Sequence, residues 1–119
     1  MITKLRSAGL PIGLVRYYTA SSDENKLLGR PGQYTGKANF RDKRIREGAG
    51  FDVSNGGSVE TFPNSAAAKR RFDYVSAIAT SSSLFSEYDY LEGTVLLRVS
   101  HNLTPTQAKA YERAFRRAV

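Results

Sequence analysis

Two stretches carry residue types that could do chemistry. LLGRPGQYTGKA, residues 27–38, combines three glycines with an arginine, a lysine and a proline, a composition suited to a loop that cradles phosphate. Downstream, Glu87 and Asp89 stand two residues apart, with Glu92 nearby. On a strand that spacing puts both carboxylates on one face, as a glycosidase-like acid pair would need. Each stretch also has a plainer reading. A phosphate-binding P-loop requires G-x-x-x-x-G-K-[ST] between a strand and a helix. Here only three residues separate Gly32 from Gly36, and Ala38 follows Lys37 where a magnesium-binding hydroxyl should stand. The residues after it alternate as a strand, so no helix N-terminus is on hand for a phosphate. A turn explains the stretch better: Pro31 and Gly32 fill the two central positions of a type II turn, and Gly36 allows close packing on the strand. Arg30 either ties down loop carbonyls or projects toward an anion. Glu87 and Asp89 read more simply as charges that keep an edge strand soluble.

Other reactive constellations are weaker. The single histidine, His101, has Ser100 beside it, but no G-x-S-x-G elbow is present. Asp23-Glu24-Asn25 is the densest oxygen cluster; it lacks the EF-hand pattern and suits a turn or cap. The chain has no cysteine, which excludes a disulfide framework, thiol catalysis and cysteine zinc sites. The expectation is a non-enzymatic protein with no cofactor and no metal site.

The elements that would position these residues follow from pattern and punctuation. The 119 residues suit one domain, residues 1–119. Ile2 and Leu5 mark a short helix over 2–8, closed by Gly9 and Pro11. Residues 12–20 are β-branched and aromatic, a strand, and Ser22 or Asp23 could cap a helical turn ending at Gly29. A second strand spans 34–42, with Tyr34, Ala38 and Phe40 on one face. Residues 43–57 read as a loop, and SVETF, 58–62, as a third strand. Asn64 or Ser65 starts a helix to about residue 80, its stripe formed by Ala68, Phe72, Val75 and Ala79. Residues 87–100 form a hairpin about Glu92-Gly93, whose second strand is apolar almost throughout and therefore central. Thr104-Pro105-Thr106-Gln107 is a capping box with proline at the first helical position. Ala108, Tyr111 and Phe115 make the buried stripe, and Arg113, Arg116 and Arg117 suit the negative end of the helix dipole. The order α-β-β-β-α-β-β-α predicts an α+β fold: two layers, a mostly antiparallel sheet of about five strands, and helices packed on one face.

The formal charge of +7 points toward nucleic acid or another anionic surface, although a solvated basic surface would look the same. Ten of the 18 Lys and Arg lie in residues 1–60. The candidate contacts are Arg30, Lys37, Arg41, Lys43 and Arg44. Seven tyrosines allow base stacking, and an open sheet face bearing Tyr34, Tyr88 and Arg98 would serve for it.

LRSAGLPIG (5–13), residues 18–44, residues 56–75 and residues 87–115 together resemble a small extracytoplasmic domain of bacterial, chiefly Gram-positive, proteins of unknown function. The resemblance is most specific in LLGRPGQYT and LLRVSHNLTPTQAKAYE. In those proteins the domain commonly follows a lipoprotein signal or a membrane anchor and a polar linker. The resemblance implies a mature domain without its export segment, located outside the cytoplasm, and it brings no activity or catalytic residue. The expected function is a cell-surface binding module for an anionic wall polymer, a membrane surface or a protein. The alternative is a cytoplasmic or phage-borne nucleic-acid-binding protein.

Overall fold

The computed structural model describes residues 1–46, 48, 50–82 and 86–119. The chain runs α1 (Ile2–Ser7), β1 (Ile12–Tyr17), β2 (Gly36–Asp42), β3 (Gly56–Thr61), α2 (Ser65–Ser81), β4 (Glu87–Glu92), β5 (Val95–Ser100) and α3 (Pro105–Ala118). Class and element order are those expected. The five strands stand in the order β1-β2-β3-β5-β4, every neighbouring pair antiparallel.

Layering differs from expectation: helices cover both faces. β5 supplies the reason. Leu97 and Val99 point to one side and Leu96 to the other, and all three are fully buried. A strand that is apolar on both sides needs cover on both. On the first side α1 and α3 bring Leu5, Tyr111 and Phe115 against Phe40, Leu97 and Val99. On the second, α2 brings Ala67, Ala68 and Val75 against Leu96, with Tyr34 and Phe62 beside them. Tyr34 therefore does not share a face with Ala38 and Phe40; it lies before β2 begins and turns to the opposite core.

Local chemistry sets the helix ends. Thr104 Oγ1 accepts from the N–H of Gln107 while the Gln107 amide accepts from Thr104 N–H, which completes the capping box. Asn64 caps α2 by accepting from Ala67 N–H at 2.8 Å. Gly9 takes φ +96° just beyond α1, the left-handed position glycine fills best.

One turn and one strand boundary differ from the sequence reading. The β4–β5 connection is Gly93-Thr94, since Glu92 still pairs with Val95. Gly93 at φ +58° occupies the first central position, as a type II′ turn requires. β3 begins at Gly56, two residues before the expected start, inside what reads as loop. There the strands crowd: a Cβ on Gly57 would meet the Phe40 ring and Arg98 O, each at 2.5 Å. Glycine is in this case a packing requirement of the strand.

Residues 19–35 fold around one side chain. Asp23 is fully buried. It accepts from the N–H groups of Asn25, Leu27 and Leu28, and from Tyr34 Oη–H at 2.7 Å. Burial works against its ionisation, but these four hydrogen bonds prevail and hold its carboxyl at about 2. The chain makes hydrogen-bonded turns here, Lys26 N–H to Asp23 O among them, but no helix. Pro31 and Gly32 do make the expected reversal, with Gln33 N–H bonded to Arg30 O and Gly32 at φ +74°.

Candidate functional site

α1 and α3 pack side by side on one face of the sheet, and a groove of about 570 Å³ runs between them. Its bed is small: Ala8, Gly9, Pro11, Ala110 and Ala114. Its charged walls come from three parts of the chain. Lys4 projects from α1 and donates to Ala118 O. Arg113 and Arg117 stand one turn apart on α3 and make no ion pair among the described residues. Arg44 enters from the turn after β2.

A buried carboxylate positions Arg44. Asp42, at the end of β2, is 1% exposed. It accepts from Arg44 Nε and Nη2 at 3.0 and 2.8 Å, and from Tyr111 Oη–H at 2.7 Å. Burial opposes the Asp42 charge, yet the bonds from Arg44 and Tyr111 outweigh it and lower its pKa. Burial, and then the bond to ionised Asp42, push the Tyr111 phenol up. The triad fastens α3 to the sheet. Asp42 offsets one of the groove's four cations, and the C-terminal ends of α1 and α3 together offset about one more. A net charge of about +2 remains for a ligand.

Of the five contacts expected from sequence, the structure brings Arg44 to this groove, with exposed Lys43 next to it. Lys37 and Arg41 lie on the opposite face of β2. The Lys37 ammonium is 3.8 Å from Asp23, near the Tyr18 and Tyr34 rings, with its side chain 8% exposed. Burial lowers its pKa. Arg41 donates to Gly48 O at 2.8 Å. Arg30 is exposed at the turn. Lys4, Arg113 and Arg117 were not singled out as contacts. The one signal for the last two was their i, i+4 spacing on the polar side of a helix.

The hairpin carboxylates point inward under α2. Arg98 grips Glu87 through Nε and Nη2 at 2.6 and 2.9 Å and reaches Glu60 at 3.3 Å. Glu60 also receives Arg71 at 3.1 Å. Burial raises the Asp89 pKa, and the hydrogen bond to Glu87 and that residue's negative charge raise it further, to about 8. Glu87 moves the other way: burial opposes its charge, but Arg98 outweighs burial. Asp89 Oδ1 is buried and accepts no hydrogen bond from a described donor. Burial and the neighbouring Glu87 charge both favour the protonated form of Asp89. Solubility at the edge is thus not what these two acids provide.

His101 is exposed. Among the described residues no group of three or more His, Asp or Glu is placed to hold a metal, and no helix is long and apolar enough to cross a membrane. The open tyrosine platform does not form: Tyr34 is fully buried, Tyr88 packs against the core of the α1–α3 side, and Arg98 is held by acids.

No family model matches the chain, and no solved structure matches it. Among curated proteins it is similar to a formate–tetrahydrofolate ligase of Myxococcus xanthus, 37% identical over 62 residues. The match takes in 52% of this chain and only 11% of that protein's length.

Proposed function

We propose that this domain is a non-enzymatic binding module that holds a phosphate-rich polymer in the α1–α3 groove, at the surface of a bacterial cell. The observation that carries the reading is the convergence of Lys4, Arg44, Arg113 and Arg117 on one groove, with the carboxylate beside Arg44, Asp42, already engaged by Arg44 and Tyr111. Among the described residues no aromatic side chain lines that groove, so they offer nothing there for bases to stack on. A polyol-phosphate wall polymer suits it better than a single-stranded nucleic acid. The resemblance in LLGRPGQYT and LLRVSHNLTPTQAKAYE supports the extracytoplasmic location. The hairpin acids support a non-enzymatic role. Both Glu87 oxygens are taken by Arg98.

The test is binding of the full chain to wall teichoic acid, to a single-stranded oligonucleotide and to anionic lipid vesicles, each across a salt series. The reading expects preference for the wall polymer. It also expects Arg113→Glu/Arg117→Glu to lose about tenfold or more in affinity and to flatten the salt slope by about two. Preference for the oligonucleotide or the vesicles would replace the wall polymer as ligand. Binding unaffected by the charge reversal would remove the groove from the mechanism.

A further inference from the structure

The other face of the sheet carries a second concavity. A cleft of about 640 Å³ opens between the 25–33 loop and α2, a size typical of small-molecule sites. Its apolar walls include Leu27, Val75 and Ile78, and the amides of Asn25 and Gln33 stand among them.

Three arginines reach this cleft, and their commitments differ. Arg71 is bound to Glu60, and Arg98 to Glu87 and Glu60. Arg70 is exposed and makes no ion pair among the described residues. It leans across the mouth toward the turn: its Nη2 lies 3.3 Å from where a Cβ on Gly32 would stand. Four residues along α2, on the same helix face, Tyr74 is 59% exposed, with the Arg71 guanidinium 5.8 Å from its ring centre.

We propose that this cleft binds a small planar monoanion, an aromatic carboxylate, with its carboxylate on Arg70 and its ring against Tyr74 and the apolar wall. One uncommitted guanidinium matches one carboxylate, which it can grip through two parallel N–H bonds. A multiply charged phosphate would find no second free cation, because Arg71 and Arg98, the other arginines of the cleft, are held by Glu60 and Glu87. The apolar wall and the exposed phenol ring favour a flat apolar body over a sugar. The site lies across the sheet from the α1–α3 groove and does not depend on it.

The experiment is a ¹H–¹⁵N NMR titration of the full chain with indole-3-acetate as probe and indole-3-acetamide as its neutral counterpart. Saturable shifts are expected at the backbone amides of Leu27, Gly32, Gln33 and Ala67 with the acid and not with the amide. Arg70→Ala should weaken binding roughly tenfold or more, and Tyr74→Ala should weaken it severalfold. Both side chains are exposed, and a dispersed spectrum verifies that each variant folds. Arg113→Glu/Arg117→Glu should leave the titration unchanged. Absence of saturable shifts, equal binding of acid and amide, or an unaltered affinity in Arg70→Ala would overturn the proposal.

Discussion

Replacing Asp89 with asparagine should make the protein more stable, and only above the acid range. Asp89 keeps its proton in the folded state up to about pH 8, whereas an unfolded aspartate loses it near 3.8. A group with a raised folded value contributes stability that is complete below the unfolded value and is lost as pH climbs to the folded one. Each pH unit in that interval costs about 1.4 kcal/mol, so the span from pH 5 to pH 8 sets a ceiling of roughly 4 kcal/mol. Glu87 shares the proton and has a depressed value of its own, and water reaches part of the site, so a loss of about 2 kcal/mol is expected in practice. Asp23, Asp42 and Glu87 have lowered values. Their stabilisation is present above their unfolded values and is lost only as pH falls below them, outside this window. An asparagine amide reproduces the protonated acid: its N–H₂ donates to Glu87, and its oxygen accepts from Ser76 Oγ–H, 3.3 Å away in the native pair. Urea unfolding at pH 5 and at pH 8 measures the effect. Wild type and Asp89→Asn should agree within about 1 kcal/mol at pH 5 and diverge by about 2 kcal/mol at pH 8, the variant being the more stable. An equal destabilisation at both pH values would refute the shared-proton argument.

Two further changes probe how the sequence builds the scaffold. Asp23→Ala strips the acceptor from three backbone N–H groups and from Tyr34, and should cost about 3 kcal/mol in urea unfolding, with the largest loss of amide-exchange protection at Leu27 and Leu28. Gly57→Ala drives a Cβ to 2.5 Å from both Arg98 O and the Phe40 ring and should cost roughly 3 kcal/mol; a thermal midpoint equal to wild type would show that β3 and β5 part more easily than their packing implies.

The elements were legible where local chemistry alone decides them. The Thr104 capping box, the Asn64 cap and the Pro31-Gly32 turn need only neighbours in sequence, and each formed where its residues stand. Misreadings arose where distant parts of the chain decide. Gly56 and Gly57 look like loop until the β2 backbone is known to press on the first and the Phe40 ring on the second. Glu87 and Asp89 look like edge-strand charges until α2 is laid across them, which depends on β5 being apolar on both faces. The groove shows the same limit. Lys4 and Arg117 are separated by nearly the whole chain, and only the docking of α1 beside α3 brings them together. Sequence pattern exposed the polar side of α3 but held no trace of its neighbour.

The excess charge itself acquires a location through the buried pairs. Lys37 with Asp23, Arg71 with Glu60, Arg98 with Glu87 and Arg44 with Asp42 each set one cation against one acid. These four pairs cancel, so the whole formal excess of +7 is carried by the remaining residues, which are mostly at the surface. Surface cations are cheap to keep in water and contribute little to stability when paired there; folding does not require that they gather. Arg116 on α3 is paired with Glu112 and Glu92, whereas Arg113 and Arg117 on the same helix have no such partners among the described residues and share a groove with Lys4 and Arg44. The solvated-surface reading leaves that contrast unexplained, since it would hold equally if acids were interleaved along the groove as they are beside Arg116. A groove that stays positive after its buried acid and both helix ends are counted is the arrangement a polyanion selects for.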